Sequence, residues 1–212
     1  MKIGIIQGSS QKEKNPLIED VLRKVVKNRA YEVINFGIFN DEDIEYSYIE
    51  TAMCISILLE SKSIDFIITG CSSGQGMMLA CNSLPTINCG YIENPSDAYL
   101  FGRINAGNVI SIPLGLNFGW AAEINLQCIF EKLFDGEFGE GYPKKDAERK
   151  RKDTRLLEKI NLITKRSLKE IIPKMDINFM KKIVARENVY EYVMRYGKDM
   201  ELLNVLKAYR AY

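Results

Sequence analysis

The segment with the clearest capacity for chemistry runs from Ile64 to Met78, where an apolar run ends in a cysteine and a glycine-spaced turn. Its first part is typical of a strand covered by helices on both faces (Ile64, Phe66, Ile67 and Ile68). Three glycines then let the backbone turn tightly and approach a ligand (Gly70, Gly74 and Gly76). Because helical spacing follows, backbone N–H groups and the positive end of a helix dipole converge on one point. The pattern predicts an anion site with Cys71 at its edge.

The turn around Cys71 does not match the common phosphate-binding patterns. It lacks the Gly-x-x-x-x-Gly-Lys-Ser/Thr loop and the Gly-x-Gly-x-x-Gly turn, and Met77 stands where a cysteine-dependent phosphatase would have arginine. A helix N-terminus favours a thiolate, which can act either as a base or as a nucleophile. The other cysteines are interpreted as small buried hydrophobes (Cys54, Cys81, Cys89 and Cys128).

Composition narrows the possible functions. The 212 residues include 29 basic and 28 acidic side chains, a balance that argues against a nucleic-acid binder held by bulk charge. Five cysteines without paired spacing, and no apolar stretch of membrane-spanning length, lead us to expect a reduced, soluble, cytosolic protein. The sequence contains no histidine, so acid/base catalysis would use Cys, Glu, Asp, Lys or bound water.

Strands and helices are predicted to alternate along the first two thirds of the chain. Strands are predicted at five apolar runs (residues 2–6, 31–36, 64–68, 87–92 and 109–112). Helices are predicted between and after them (from residue 15, at 49–61, after residue 76, at 95–105 and at 118–134). This order predicts an α/β fold, a doubly wound, Rossmann-like parallel sheet with helices on both faces. Ligands of such sheets bind beyond the carboxyl ends of the strands.

The composition changes at the glycine-rich turn of residues 136–143, after which turn glycines become scarce. We therefore interpret residues 1–143 as the α/β domain and residues 144–212 as an all-helical C-terminal extension. The extension carries apolar stripes at helical spacing (Leu156, Leu157, Ile160 and Ile163; Val189, Tyr192 and Val193). These stripes need a partner, which is either the α/β domain or a second subunit.

The segment Thr69–Asn82 resembles the Cys-Gly-Thr-Gly-x-Gly-Met-x-x-Ala-x-Asn signature of the type B ribose-5-phosphate isomerase and galactose-6-phosphate isomerase family. The surrounding order is also similar: Tyr-Glu-Val-Ile-x-Phe-Gly at residues 31–37, Tyr46 after an acidic loop, and Asn-Ala-Gly-Asn-Val at residues 105–109. The resemblance covers residues 1 to about 143. Long relatives carry a helical extension after a similar Gly-Tyr-Pro turn.

The resemblance implies an aldose–ketose isomerisation of a phosphorylated pentose or hexose through a cis-enediolate, without a metal or organic cofactor. Cys71 falls on the family's cysteine base, and Ser73 falls on a threonine that handles sugar hydroxyls. Backbone amides from Ser72 to Gly76, including that of Gln75, would hold the enediolate oxygen. The family also implies a homodimer or a dimer of dimers, because its sites borrow residues from a second subunit. Asn82 is expected to brace the motif.

The sequence departs from the family at several positions that bind or react. Gly8 and Ser9 replace an Asp-His pair, and Glu93 replaces the ring-opening histidine, although it could equally be an ordinary surface glutamate. Asn105 lies in a loop that touches sugar in the family, or serves only as a turn residue. Among the available cations, Arg103 and Lys144 are the preferred candidates for the phosphate. The substrate-binding candidates are thus Gly8, Ser9, Tyr46, Ser72, Gly74, Gln75, Gly76, Asn105, Arg103 and Lys144.

Two functions of different classes remain open at this point. The first is the sugar-phosphate isomerase, which the presence of Cys71 favours. The second is a non-catalytic sugar-phosphate binding or regulatory protein on the same fold, which the lack of histidine favours. In both cases the expected partner is a small sugar phosphate, and neither nucleic acid nor membrane is expected.

Overall fold

Five parallel strands form one sheet in the computed structural model, which describes residues 1–210. The strands are β1 (Lys2–Ile5), β2 (Glu32–Asn35), β3 (Phe66–Cys71), β4 (Cys89–Tyr91) and β5 (Val109–Pro113). Their order across the sheet is β2-β1-β3-β5-β4, and every neighbouring pair is parallel. The predicted doubly wound sheet is confirmed.

Helices cover both faces of the sheet. They are α1 (Asn15–Val26), α2 (Tyr48–Glu60), α3 (Gln75–Asn82), α4 (Pro95–Leu100) and α5 (Ala122–Leu133). The prediction that the helix after β5 begins at Phe118 is wrong, since α5 begins at Ala122. Asn117 and Ala121 both have left-handed backbone, with φ of 54° and 66°, and right-handed helix cannot continue through such residues.

The two faces of the sheet have separate cores. On one face, Ile3, Ile5 and Phe66 pack with the apolar sides of α1 and α5. On the other face, α2 and α3 pack against the sheet. The residues Thr51–Leu59 of α2 are all buried, which requires that α2 be covered on its outer side as well.

Helices that follow residue 143 provide that outer cover. The α-helices described between residues 144 and 210 are α6 (Ala147–Thr164), α7 (Leu168–Ile171), α8 (Ile177–Val184), α9 (Glu187–Tyr196) and α10 (Met200–Arg210), and all of them except α6 contribute to the core around α2. Residues of α7 to α10, such as Met180, Val193 and Leu202, share one apolar core with α2. The stripe that contains Val189 and Val193 is therefore buried against the α/β part of the same chain, whereas the α6 stripe is exposed. The boundary at residue 143 remains an interpretation. Within residues 1–210, no helix is both long and apolar enough to cross a membrane.

Candidate active site

A cavity of about 780 Å³ opens at the carboxyl ends of the three neighbouring strands β2, β1 and β3. It lies between the loops after β1 and β3, whose following helices go to opposite faces of the sheet. Ligands of doubly wound sheets bind at this kind of switch point. The lining residues are Gly8, Ser9, Ser10, Glu45, Tyr46, Ser47, Tyr48, Glu50, Cys71, Ser72, Ser73, Gly76 and Lys182.

Cys71 is the last residue of β3 and is half-buried at the wall of this cavity. The turn after it depends on Gly74, which has φ of 72° and forms the N-cap of α3. A Cβ at Gly74 would lie 2.8 Å from the Tyr91 ring and 3.0 Å from the Pro113 nitrogen. Since the first N–H groups of a helix have no partner inside it, the turn holds the thiol beside amides that can bind an anion.

Hydrogen bonds within and between the loops hold the wall of the cavity together. The Ser9 hydroxyl donates to the Tyr46 carbonyl over 3.0 Å and accepts from the Tyr46 amide over 2.6 Å. The Gln11 side chain donates to the Ser72 hydroxyl over 2.9 Å, which connects the loops after β1 and β3. The Gln75 amide donates to the Ser73 hydroxyl over 3.3 Å. The cavity wall therefore presents several hydroxyl groups in fixed positions.

The C-terminal helices also reach the cavity. Lys182 on α8 lines it, with its Nζ 2.8 Å from Oε1 of Glu50 on α2. Arg186 lies behind the wall, 3% exposed, with its guanidinium carbon 4.7 Å from the centre of the Tyr46 ring. Sequence reasoning missed Lys182, because the Lys182–Glu50 contact joins residues 132 positions apart. Glu50 could have been found from the sequence, because Ser47-x-x-Glu50 matches the capping-box pattern at a helix N-terminus.

Two groups in the wall have altered ionisation. Burial raises the pKa of Glu50, but hydrogen bonds from Lys182 and the Ser47 amide outweigh it, so that the pKa is lowered overall. Burial also raises the pKa of the Tyr46 phenol, and the nearby Arg186 opposes this only in part. Glu50 is therefore a fixed carboxylate near neutral pH, and Tyr46 is a neutral hydroxyl.

The structure brings together seven of the residues predicted from the sequence. They are Gly8, Ser9, Tyr46, Cys71, Ser72, Ser73 and Gly76. Gly74 and Gln75 belong to the same turn, next to the lining residues. The convergence follows from the sheet order, because loops at the carboxyl ends of adjacent parallel strands meet at one edge.

Three other candidates lie away from this cavity. Glu93 follows β4, which β5 separates from β3, and its carboxylate accepts a hydrogen bond from Asn117 over 2.6 Å. Asn105 precedes β5 and so lies toward the opposite edge of the sheet, where it lines a different cavity with Asn161. Lys144 is exposed in a short turn after Pro143. Contacts of these residues with substrate remain predictions.

The expectation that Arg103 binds the substrate is corrected by its burial. Its side chain has no exposed surface, its Nη2 donates to the Leu133 carbonyl over 3.0 Å, and its guanidinium carbon lies 5.4 Å from the centre of the Phe138 ring. Burying an arginine requires such internal partners, since the charge cannot be left without them. Arg103 therefore connects α5 and the segment after it to the short helical segment Phe101–Asn105, which continues α4.

The remaining motif residues have structural roles. Asn82 exchanges two hydrogen bonds of 2.9 Å with the backbone of Cys89, so that it connects the end of α3 to the start of β4. Cys54, Cys81 and Cys89 are buried as predicted, whereas Cys128 is half-buried. Among residues 1–210, no group of three or more His, Cys, Asp or Glu side chains is placed to hold a metal ion.

Comparison with known proteins gives evidence of the chain's family that is independent of this geometry. Residues 5–141 match the family model described as Ribose/Galactose Isomerase. A crystal structure of a 4-deoxy-L-threo-5-hexosulose-uronate ketol-isomerase complexed with a tartrate is 38% identical, with a TM-score of 0.95 over 100% of both chains. A ribose-5-phosphate isomerase from Vibrio parahaemolyticus is 35% identical, with a TM-score of 0.93 over 99% of each chain.

A shorter ribose-5-phosphate isomerase from Thermotoga maritima shares the fold at 22% identity and a TM-score of 0.54, covering 71% of this chain and 97% of its own. No curated protein matches the chain. The family model covers well over half of the sequence, and the two full-length structural relatives are sugar isomerases. The chain therefore belongs to the ribose/galactose isomerase family and is an enzyme of the sugar isomerase class.

Proposed function

We propose that this enzyme interconverts the aldose and ketose forms of an acidic sugar through a cis-enediolate, with Cys71 as the base. The observation that carries the proposal is the position of the Cys71 thiol, in the wall of the cavity and beside the N-terminus of α3. A thiolate there would take the proton from the carbon next to the carbonyl, and the electron pair would move onto the carbonyl oxygen. The resulting thiol would return the proton to the former carbonyl carbon, while the hydroxyl proton would pass from one oxygen of the cis-enediolate to the other, so that no net oxidation occurs.

The turn from Ser72 to Gly76 supports the same step. Backbone amides of this turn would stabilise the negative charge that develops on the enediolate oxygen, and the dipole of α3 has its positive end at this point. Preorganised donors of this kind commonly lower a barrier by about 3 kcal/mol each. Hydroxyl groups of Ser72, Ser73 and Tyr48 line the same cavity and would hold the hydroxyl groups of an open-chain sugar.

One candidate for the acidic group is a phosphate, so that the substrate would be a pentose or hexose phosphate. The sequence motif supports this choice, and so does the relative from Vibrio parahaemolyticus, which is described as a ribose-5-phosphate isomerase. A phosphate is usually held by several cations or backbone amides.

A second candidate is a carboxylate, so that the substrate would be a sugar acid such as a hexuronate. The uronate ketol-isomerase that is 38% identical over the whole chain supports this choice. The charge of the cavity supports it too: within residues 1–210, the lining side chains include one lysine, two glutamates and no arginine. A singly charged group suits such a wall better than a doubly charged one.

Deuterium uptake measured by NMR tests the proposal. The enzyme would be incubated in D₂O with five- and six-carbon aldose and ketose phosphates, with hexuronates, and with the neutral sugars as controls. The proposal predicts deuterium at the carbon next to the carbonyl of at least one acidic sugar. Binding without exchange for every compound would instead favour a non-catalytic binding or regulatory protein.

We also propose that the enzyme acts as a homodimer, as the family resemblance implies. The exposed apolar residues of α6 are available to a second copy of the chain (Leu156, Leu157, Ile160, Leu162 and Ile163). Light scattering coupled to size-exclusion chromatography would measure the mass in solution. A monomer at micromolar concentration would contradict this proposal.

A further inference from the structure

We propose that Lys182, on α8 of the C-terminal helices, pairs with the acidic group of the substrate. The Glu50 carboxylate beside it makes the site favour a group that carries one negative charge over a group that carries two. The inference rests on the proposed function, because it names the part of the cavity that would recognise an acidic sugar. It assigns a specificity role to helices that lie outside the matched family region of residues 5–141. The group that Lys182 recognises is a carboxylate.

Lys182 lines the cavity and retains a donor that Glu50 does not use. Its Nζ lies 2.8 Å from Oε1 and 3.0 Å from Oε2 of Glu50. An ammonium group carries three N–H donors, so that two contacts with Glu50 leave one donor for a ligand. The Lys182 side chain is 39% exposed although it lines the cavity wall, whereas that of Glu50 is 14% exposed. The lysine is thus the accessible member of the pair.

The surroundings of Lys182 hold the ammonium group in place. The Nζ lies 5.4 Å from the centre of the Tyr46 ring, and Arg186 stacks against the same ring. The Glu50 carboxylate is fixed by the Ser47 amide, which donates to its Oε2 over 2.7 Å. A cation that is already in position loses little side-chain entropy when a ligand binds.

The charges of the wall favour a monoanion. Lys182 and Glu50 cancel each other, and Glu45 adds a further negative charge at the rim. A carboxylate that approaches Lys182 is attracted by one cation and repelled by two glutamates. For a phosphate dianion the attraction and the repulsion are both doubled, so that the net repulsion by this wall is doubled as well.

Two substitutions separate a binding role from a purely structural one. Lys182→Met and Glu50→Gln both break the ion pair, so that a structural role predicts similar effects from both. A binding role predicts opposite effects, because the first removes the cation and the second removes its competing anion. Glu50→Gln keeps the capping box, since glutamine also serves at that position. Lys181→Met is the matched control, because Lys181 is the preceding residue and does not line the cavity.

Titration calorimetry with glucose, glucuronate and glucose 6-phosphate tests the inference without catalysis. We expect the wild type to bind glucuronate more tightly than the other two, and Lys182→Met to weaken that binding by about tenfold to a hundredfold. Glu50→Gln should strengthen binding of both acidic sugars, glucose 6-phosphate most, while Lys181→Met should resemble the wild type. These probes report recognition even if no sugar exchanges its proton, which separates this inference from the proposed reaction.

Three results would overturn the inference. The first is a wild type that does not prefer glucuronate. The second is a parallel loss of binding in Lys182→Met and Glu50→Gln. The third is an equal loss in Lys181→Met, which would show that any charge on α8 has the same effect.

Discussion

The hydroxyl of Ser9 contacts both polar groups of the Tyr46 backbone, donating to its carbonyl over 3.0 Å and accepting from its amide over 2.6 Å. Two loops that the sequence separates by 37 positions are joined in this way into one wall of the cavity. The hydroxyl therefore braces the wall, in addition to any contact that it makes with a ligand.

The first prediction concerns this bracing. Ser9→Ala should lower the free energy of unfolding by about 1–2 kcal/mol, because it leaves the Tyr46 amide without its partner. Ser10→Ala is the control, since the exposed Ser10 hydroxyl makes only a 3.3 Å contact with Ser72. Urea denaturation measures both variants. Equal stability of the two variants would show that the Ser9 contact is not needed.

The second prediction concerns the turn after Cys71. Gly74→Ala should destabilise the chain by about 1–3 kcal/mol, because alanine is strained at φ of 72° and its Cβ would press on Tyr91. Gly119→Ala provides the comparison, as a Cβ there meets nothing within 4 Å. The two midpoints of urea unfolding should differ clearly. A Gly74→Ala protein as stable as Gly119→Ala would contradict the described turn.

The third prediction is that the α/β part and the C-terminal helices unfold together. Leu202→Ala, in the shared core with α2, should cost about 2–5 kcal/mol and shift one single unfolding transition. Met200→Ala, at a 60% exposed position of the same helix α10, should change stability by less than about 0.5 kcal/mol. Two separate transitions in thermal unfolding would show that the C-terminal helices form an independent unit.

The fourth prediction concerns pH. The pKa of Glu50 is lower in the folded protein than its ordinary value of 4.5, so its ionisation stabilises the fold above that value. The contribution is lost as the pH falls through the folded-state pKa. Wild type should therefore exceed Glu50→Gln in stability near neutral pH, and the difference should shrink below about pH 4. A difference that stays constant across this range would remove the Lys182–Glu50 pair as its cause.

Much of the fold was predictable from the sequence, because the apolar runs that indicate strands and the helical spacing of apolar residues that indicates helices were both strong. All five predicted strands are present, and the sheet order places Cys71 and the loops after β1 and β2 at one edge. The exception at residues 118–121 arose because Ala121 adopts left-handed backbone, for which alanine gives no sequence signal.

Other features of the site could not be predicted because they depend on contacts between distant parts of the chain. The insertion of β5 between β3 and β4 separates Glu93 from the strand that ends at Cys71, and no local pattern reveals that order. A role of Glu93 in the reaction stays a prediction. The burial of Arg103 depends on α5 and the segment after it, which lie about 30 residues further along the chain. Lys182 reaches the cavity only because α8 packs on α2, and the sequence of neither helix predicts that contact.

The proposed role of Cys71 as the base is the central claim, and deuterium uptake into the acidic sugar that the wild type accepts tests it most directly. Cys71→Ser should lower the exchange rate by at least about a hundredfold while calorimetry shows the sugar still bound, because a serine hydroxyl is a far weaker base than a thiolate. Cys128→Ser, at a half-buried position on α5 outside the cavity, should exchange like the wild type. Exchange by Cys71→Ser at the wild-type rate would contradict the account.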